Sequence, residues 1–505
     1  MTPYRSDHPA GPYGFVQLLH AEWTKFRTVA GWPAGMLAAA LLVVLVALLA
    51  GVSSDQKGSP AVPIGPGGEP VTDSFYFVHQ PLTENGRITV AVSALRTSIP
   101  SGPAALRPGI VDWSKAGLII KQGARQGSPY AAIMVTGGHG VRMQSNYVSD
   151  LAGLPGPVSP KSPRWLRLER AGDAITGYAS ADGTHWVKVG TVRVTGLGPI
   201  ARGGLFVASP PAVDGKGTRG SVSTAVFGQL RIQGQQAGSA WTGEQVGAGS
   251  PTFAGYPRNS AGSFREADGN VVVTGAGDIA PATRETLPTG GTLGSILTGT
   301  FAALIAVIVI GTAYITTEYR QNLIHVTLAA TPGRGGVLLA KAIVLGAVSF
   351  VAGLAGAAIA IPLGEHLARA NGVYVFPVTP ANELRMVLGT AALLATASVL
   401  ALAVATIFRH SAGAVTTVVV AIVLPYLLIA NPFMPSAVAD WLARVTPAAG
   451  FAVHQTLVHY PQVASIYTPY NGYYPLAPWA GLAVLAGYAL VGLAAAAFLL
   501  RRRDA

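Results

Sequence analysis

Six long, uncharged apolar runs limit the possible folds of this chain more than any other feature. They are Ala34–Gly51, Leu293–Ile315, Ala342–Leu363, Met386–Phe408, Ala412–Ala430 and Ala477–Leu500. A bilayer core of about 30 Å needs roughly 20 helical residues at about 1.5 Å each, and these runs have that length. Only 11% of the residues are charged, whereas a soluble domain has about 25%. The pattern predicts six membrane-spanning helices, the first at 34–51 and the others within 292–500.

The first run has a second interpretation. A basic start followed by an apolar core and small residues is also the pattern of a cleaved signal peptide. About thirty residues precede the run, and it is long for a signal core. We therefore expect a retained first span, and N-terminal sequencing of the mature protein separates the two readings.

The stretch between the first and second runs has a different composition. From Val52 to Gly291 it is rich in Gly, Pro, Ser and Thr, with alternating runs such as "RITVAVSAL", "WLRLERAG" and "WVKVGTVRVTG". Alternation with frequent turn residues predicts an antiparallel sandwich. We place the sandwich at 72–235, a linker at 52–71, and a linker with return strands at 236–291. The chain has no cysteine, so no disulfide stabilises this part.

The basic residues near the runs predict an orientation. With a cytoplasmic N-terminus, the external short loops carry only Arg369, Arg385 and Arg444. The cytoplasmic side carries ten basic residues: Arg5, Lys25, Arg27, Arg320, Arg334, Lys341, Arg409, Arg501, Arg502 and Arg503. Because Lys and Arg favour the cytoplasmic side, both termini are expected inside the cell membrane. The sandwich is then extracellular, and residues 501–505 form a basic cytoplasmic tail.

Two cytoplasmic segments have helical patterns. Within the tail 1–33, "FVQLLHAEWTKFRTVAGWP" predicts an interfacial elbow helix, in which Glu22, Trp23, Lys25 and Arg27 are its marked residues. Between the second and third runs lies "TTEYRQNLIHVTLAATPGRGG", residues 316–336. Its spacing of Leu323, Ile324, Thr327 and Leu328 predicts one apolar helix face, which Thr331 and Pro332 end. The first segment could instead be a plain charged flank, and the second could be a helix that simply rests on the inner leaflet.

These two segments carry a family resemblance. "AEWTKFRTV" resembles the "EWTKLRTV" elbow segment of actinobacterial permeases of type-2 ATP-binding-cassette exporters. Residues 316–341 resemble their next signature, roughly "EYR.GTIR.TLAATPRRGR...AK", and depart from it at Asn322, Leu323 and His325 and at two glycines, Gly333 and Gly335. The matching positions are Glu318, Tyr319, Arg320, Thr327, Leu328, Ala329, Ala330, Thr331, Pro332, Arg334 and Lys341.

The resemblance implies a function and partners. It covers the chain outside the insert and implies an ABC-2 type permease with six spans, in which residues 316–336 form a coupling helix that docks on a separate cytosolic ATPase. It implies a homodimer or heterodimer of permeases. The chain itself has no G-x-x-x-x-G-K-[ST] loop, since its only Gly-Lys pair is Gly215-Lys216, followed by Gly217. ATP and magnesium are therefore expected on the partner subunit, and no cofactor on this chain.

The predicted insert has a resemblance of its own. "WSKAGLIIKQG", "PRWLRLERAG" and "SADGTHW" resemble segments of laminin-G and concanavalin-A-like sandwiches. The fold class is thus a six-helix transmembrane bundle with an all-β, jelly-roll or concanavalin-A-like extracellular insert between spans one and two. Aromatic side chains could stack on sugars, and they could equally be core residues. These candidate glycan contacts are Trp113, Tyr130, His139, Tyr147 and Trp186.

Other functions have weaker support in the sequence. The acids Asp112, Asp150, Asp173 and Asp182 are scattered in turns and do not form the carboxylate pair of a glycosidase. His454 and His459 are five apart, which places them on different helix faces, so no metal site is expected. No nucleic-acid partner is expected. We predict an export permease that is not an enzyme, and the alternative is a membrane-anchored extracellular carbohydrate-binding or sensing protein.

Overall fold

A computed structural model describes most of the chain as two separate compact units. The described residues are 14–101, 106–215, 217–235, 240–247, 262–287, 289–321, 323, 333–431 and 433–502. The helical unit comprises Met1–Ser59, Thr289–Val458 and Tyr467–Ala505, and the β unit comprises Pro60–Pro288 and His459–Ile466. The chain therefore leaves the helical unit, forms the β unit and returns.

The helical unit contains the predicted spans. In chain order its helices are α1 (Phe15–Thr28), α2 (Gly31–Ser53), α3 (Leu293–Ile296), α4 (Thr300–Arg320), α5 (Arg334–Ala370), α6 (Pro380–Phe408), α7 (Ser411–Ala430), α8 (Ser436–Val445) and α9 (Pro478–Arg502). Among the described residues, six helical stretches are long and apolar enough to cross a membrane. One of them precedes the main part of the β unit, Pro60–Pro288, four lie between that part and His459–Ile466, and one follows.

Small residues let these helices approach closely. A Cβ atom added to Gly353 of α5 would lie 2.9 Å from Ala391 Cα of α6, and one added to Gly299 would lie 2.8 Å from the Val43 carbonyl oxygen of α2. Helices in lipid gain little from apolar burial against one another, so such backbone contact supplies much of their packing energy. The core formed this way includes Val43, Leu345 and Leu394, all fully buried.

Helix α5 extends well past its apolar run. It has 37 residues and contains Pro362, whereas the uncharged run is Ala342–Leu363. The additional residues at its start include the fully buried Lys341. Apolar composition alone did not predict this extension because two charged residues, Arg334 and Lys341, lie in the first turns of the helix.

The β unit is built on one long strand shared by two layers. Its strands are β1 (Val71–Asp73), β2 (Phe75–Pro100), β3 (Leu106–Gly109), β4 (Lys115–Lys121), β5 (Tyr130–Thr136), β6 (Val141–Ser145), β7 (Ser149–Ala152), β8 (Arg164–Ala171), β9 (Ala174–Ser180), β10 (Val187–Arg193), β11 (Ile200–Ala208), β12 (Ala212–Asp214), β13 (Gly217–Arg219), β14 (Val222–Gln235), β15 (Thr242–Val246), β16 (Ser263–Ala267), β17 (Asn270–Gly275) and β18 (Ile279–Pro281).

The first part of β2 pairs with β11 and β15, and its second part pairs with β8, β14 and β3. The order β10-β9-β8-β2-β11-β4-β5-β6-β7 runs through both layers. A core of side chains from both parts lies between them, and it includes Val78, Leu118, Val90, Leu166 and Phe227. This arrangement confirms a β-sandwich domain.

The β unit is larger than the predicted sandwich at 72–235. Strands β15, β16, β17 and β18 lie within 236–291, which was predicted to be linker and return strands. Strand β17 pairs with β14, β15 pairs with β2, and β18 pairs with β1. Val273 of β17 is fully buried. These strands are short and separated by Gly-rich sequence, so their alternation was too brief to indicate how much of the sandwich they complete.

Candidate functional site

Four charged side chains meet inside the helical unit, where α1 packs against the ends of two candidate spans. Glu22 lies on α1, Glu318 lies near the end of α4, and Lys341 lies in the second turn of α5. Lys341 Nζ is 2.8 Å from Glu22 Oε2 and 2.6 Å from Glu318 Oε1. Lys25 Nζ is 3.0 Å from Glu22 Oε1 and 3.3 Å from Glu318 Oε1. We call Glu22, Lys25, Glu318 and Lys341 the charge cluster.

The burial of the charge cluster explains why each of its four side chains forms an ion pair. Lys341 is 0% exposed and Glu22 is 3% exposed. An unpaired charge at such a position costs several kcal/mol, so buried charges occur with partners. Two carboxylates and two ammonium groups leave the cluster neutral. Lys25 is the outermost member, with 42% of its side chain exposed.

Aromatic side chains surround the cluster and fix α1 in place. The Tyr314 hydroxyl donates to Glu22 Oε2 at 2.9 Å and to the Glu22 carbonyl oxygen at 3.1 Å. Its ring packs edge-on against Phe26 and Trp32, and Lys341 Nζ lies 4.9 Å from the ring centre. Helix α1 is therefore joined to α4 and α5 by ion pairs, a hydrogen-bonded tyrosine and aromatic packing.

The pKa values of the α1 members follow from these contacts. Burial raises the pKa of Glu22, but the charges and hydrogen bonds of Lys341 and Lys25 lower it more, so the pKa lies below its usual value. Burial lowers the pKa of Lys25, and the two carboxylates raise it more, so its pKa lies above the usual value. Both groups are held in their charged forms, as ion pairing requires.

A cavity opens beside the charge cluster. It has a volume of about 390 Å³ and is lined by Lys25, Val29, Trp32, Tyr314, Thr317, Glu318, Gln321 and Leu323. Leu323 is 48% exposed. Glu318 Oε2 is buried and has no hydrogen-bond partner among the described residues. The exposed end of α4 and the cavity thus border the segment that was predicted to contact a partner.

The remaining predicted coupling residues fall into two groups. Tyr319 is partly buried, with the Arg409 guanidinium 5.4 Å from its ring centre, and Arg320 is exposed. Ile324, Thr327, Leu328, Thr331 and Pro332 lie outside the described residues. Of the elbow residues other than the cluster members, Trp23 is 45% exposed and Arg27 is exposed. Sequence reasoning selected both glutamates of the cluster but did not pair them with Lys341.

Basic residues gather at this end of the helical unit. The Arg334 guanidinium at the start of α5 donates to the Leu500 carbonyl oxygen of α9 at 2.9 Å. Arg501 and Arg502 follow in the last turn of α9. Arg409, between α6 and α7, lies over Tyr319 of α4. Arg334 and Arg409, which the charge count assigned to the cytoplasm, thus contact helices that are distant from them in the chain.

The aromatic residues predicted to contact glycans lie in different environments. Tyr130 and Tyr147 are 0% exposed, so they are core residues and cannot touch a ligand in this conformation. Trp113 is buried against the exposed His139, with ring centres 4.1 Å apart. Trp186 is partly buried and lies under the Arg167 guanidinium. These five residues do not form one site.

Tyr147 instead belongs to a buried polar network that the sequence did not reveal. Its hydroxyl donates to Asp73 Oδ2 at 2.7 Å, and Lys121 Nζ lies 2.8 Å from the same oxygen. A second buried pair joins Lys115 Nζ and Asp278 Oδ1 at 2.6 Å. Lys115 and Lys121 lie on β4, whereas the aspartates lie at β1 and just before β18. The pairs therefore fasten the entering and leaving strands of the β unit.

The turn at Asp182-Gly183 is held by local hydrogen bonds. Asp182 Oδ1 accepts from the backbone N–H groups of Thr184 and His185, both at 2.8 Å. These bonds and the His185 ring lower the pKa of Asp182 below its usual range. The Trp165 ring packs over this turn, since a Cβ added to Gly183 would lie 2.7 Å from it. The Trp186 ring packs on Arg167 instead.

Comparisons with known proteins add little to this geometry. No family model matches the chain, and no curated protein matches it. A mutant of the GH43 protein BlXynB from Bacillus licheniformis is similar at 14% identity, over 30% of this chain and 28% of that one, with a TM-score of 0.20. A functionally unknown protein from Saccharomyces cerevisiae is similar at 12% identity, over 33% of this chain and 77% of that one, with a TM-score of 0.18.

Scytalido-glutamic peptidase, bound to a transition-state analogue inhibitor, is similar at 8% identity. The similarity covers 40% of this chain and 98% of that one, with a TM-score of 0.26. Similarities this weak carry no argument about activity. The structure itself defines the class: a multi-helix protein with six candidate membrane spans and a β-sandwich domain.

Proposed function

We propose that this chain is the permease subunit of an ATP-driven exporter of the ABC-2 type, acting as a dimer with separate cytosolic ATPase subunits. One observation carries the proposal: the charge cluster joins α1 to the two helices that flank residues 321–333. In the sequence, these are the two segments that resemble the elbow and coupling regions of such permeases. A force applied between α4 and α5 would therefore reach α1 as well.

The charge cluster suggests how ATP hydrolysis would be coupled to movement. Separating α1 from α5 would break the Lys341–Glu22 contact of 2.8 Å and leave charges buried without partners. Such a loss costs about 3–5 kcal/mol, so α1 and the cytoplasmic ends of α4 and α5 should move together. Closure of the ATPase subunits would push this joined body and change the packing of the spans.

Chain connectivity supports an external sandwich. The segment His459–Ile466, between α8 and α9, belongs to the β unit. Its Gln462 side chain donates to the Val148 carbonyl oxygen at 3.0 Å. Four candidate spans separate this segment from the rest of the β unit along the chain. An even number of crossings returns the chain to the same side, as the proposed topology requires.

The energy source in this proposal is the partner subunit. The sequence has no phosphate-binding loop of the G-x-x-x-x-G-K-[ST] type. ATP and magnesium would therefore bind to the cytosolic ATPase. This chain would supply the path across the membrane and the docking surface around Leu323 and the cavity beside it.

Deletion of Leu323–Leu328 tests the proposal. We expect the deleted chain to insert in the membrane and to lose copurification of an ABC ATPase, because the docking segment is gone. A milder variant, Leu323→Asp, should weaken the association. Leu323 is 48% exposed, and an aspartate there would place a charge against the apolar surface that the ATPase subunit presents in this proposal. Leu106→Asp, at a leucine that is 54% exposed in the β unit, is the control. Unchanged copurification and transport in the deleted chain would refute the proposal.

A further inference from the structure

A depression on one exposed face of the β unit has an unusual lining of arginines. Its volume is about 420 Å³, and the residues around it are Arg87, Thr89, Trp165, Arg167, Asp182, Gly183, Thr184, Trp186, Gln229, Arg231 and Gln233. The three arginines come from β2, β8 and β14, which are neighbours in the sheet. Of the five glycan contacts predicted from the sequence, Trp186 lines this depression and the other four do not.

The strand register fixes the arginines on one face. Arg231 is opposite Thr89, and Thr89 is opposite Arg167, so these residues form one row across three strands. Gln233 and Arg87 are opposite each other in the next row. The residues between the rows, including Ile88 and Leu168, face the core and are fully buried. Strands lie about 4.8 Å apart, so Arg231 and Arg167 are about 10 Å apart across the sheet.

The charges in the depression are not balanced. Its lining residues carry three guanidinium groups and one carboxylate, Asp182. Asp182 is engaged with His185, whose Nδ1 lies 2.7 Å from Asp182 Oδ2. Glu169 Oε1 lies 2.8 Å from Arg87 Nε and 3.9 Å from Arg167 Nη1, so one carboxylate is shared by these two arginines. Arg231 is exposed and forms no ion pair within the part of the chain that the structure describes. The depression therefore has an excess of positive charge.

Arg167 is held in position to bind an anion. Its guanidinium lies 3.7 Å from the Trp186 ring centre, which restricts its movement. Its Nε atom is buried and has no hydrogen-bond partner among the described residues. Burial and the neighbouring Arg87 lower the pKa of Arg167 below its usual value. Glu169 offsets part of this repulsion, and an anion at the terminal N–H groups of Arg167 would offset what remains.

We propose that this depression binds an anionic carbohydrate chain, with its carboxylate or sulfate groups on Arg87, Arg167 and Arg231. A guanidinium recognises such groups through two parallel hydrogen bonds. The side chains of Thr89, Gln229 and Gln233 supply donors and acceptors for sugar hydroxyl groups. Because the strands that carry Arg167 and Arg231 are about 10 Å apart, a chain with repeated acidic groups suits the three arginines better than one small anion. Its two tryptophans are partly buried, Trp186 against Arg167 and Trp165 over Gly183, so they present little of the apolar surface on which protein partners anchor.

The full-length protein in nanodiscs of uncharged lipid tests the proposal. The probes are a sulfated heparin oligosaccharide, a carboxylated oligogalacturonate and a neutral cello-oligosaccharide, with affinity measured by calorimetry. We expect at least one anionic probe to bind, more weakly as salt rises, and the neutral probe to bind at least tenfold more weakly. The preferred anionic probe identifies the acidic group.

Matched variants locate the binding. Arg167→Gln and Arg231→Gln should each weaken binding about tenfold, as loss of a charge-assisted hydrogen bond does. Arg231 is exposed, so its variant should fold normally. Arg219→Gln removes an equal charge from β13, which is in a separate two-stranded sheet, and should bind as before. Equal binding of the neutral probe, competition by inorganic sulfate at the same concentration as the oligosaccharide, or no effect of either arginine variant would overturn the proposal.

Discussion

Lys341 is the single side chain on which the charge cluster depends most. It is fully buried and contacts both carboxylates. We predict that Lys341→Met destabilises the helical unit by about 3–5 kcal/mol, because it leaves two buried carboxylates with only the outer Lys25. The measurement is thermal unfolding of the purified protein in detergent.

Lys25→Met is the matched control for this prediction. Lys25 reaches the same two carboxylates, but 42% of its side chain is exposed. Exposed ion pairs contribute about 1 kcal/mol or less, so the control should shift unfolding much less. Equal shifts for the two variants would show that burial does not decide the strength of the cluster.

The sequence predicted part of this site at the residue scale. Glu22 and Glu318 were predicted site residues, whereas Lys341 was noted as a cytoplasmic charge and as a matching position of the family signature, but not as a site residue. Their contact could not be read from the chain, because Glu22 and Lys341 are 319 positions apart. A charged residue next to a long apolar run was the available signal, since burial in the protein is one way to accommodate it.

At the scale of elements, β17 extends the sandwich beyond its predicted end at residue 235, because it pairs with β14. Val273 is fully buried and pairs with Ala225 of β14. We predict that Val273→Asp destabilises the β unit by several kcal/mol, because it buries an unpaired carboxylate. The temperature at which a protease first cleaves the β unit measures this effect.

Ser263→Asp is the control, since Ser263 is an exposed residue at the start of β16. If residues 236–291 were only a linker, the β unit would tolerate both Val273→Asp and Ser263→Asp. If the two variants resist the protease equally well, β17 does not contribute to the core as the structure describes.

Elements were easier to predict than their limits. Each of the six apolar runs falls on a helical stretch long enough to span a membrane, because a membrane span requires length and low charge and the sequence shows both. The sandwich was predictable from alternation in segments such as "WLRLERAG". The 26 residues of β2 were not, since only pairing with two layers explains why a strand continues through Glu84, Asn85 and Gly86. Two of the candidate glycan contacts, Tyr130 and Tyr147, are core residues, because an aromatic residue in an alternating strand can face either the core or solvent.

At the scale of the whole molecule, the chain offers a direct test of its orientation. It has no cysteine, so single cysteines can be introduced without background. Thr184 in the β unit and Arg320 at the end of α4 are both exposed. We predict that Thr184→Cys reacts with a membrane-impermeant maleimide in intact cells, whereas Arg320→Cys reacts only after the membrane is opened. Reaction of both in intact cells, or the reverse pattern, would contradict an external sandwich.

The proposed partner can be sought most directly by photo-crosslinking in living cells. A photoreactive amino acid replaces Leu323, beside the charge cluster, or Trp441 of α8, which is 61% exposed. We predict that the Leu323 position captures a cytosolic ABC ATPase and that the Trp441 position does not. Absence of an ATPase at Leu323, or its capture at Trp441, would contradict the assignment of this chain as an exporter permease.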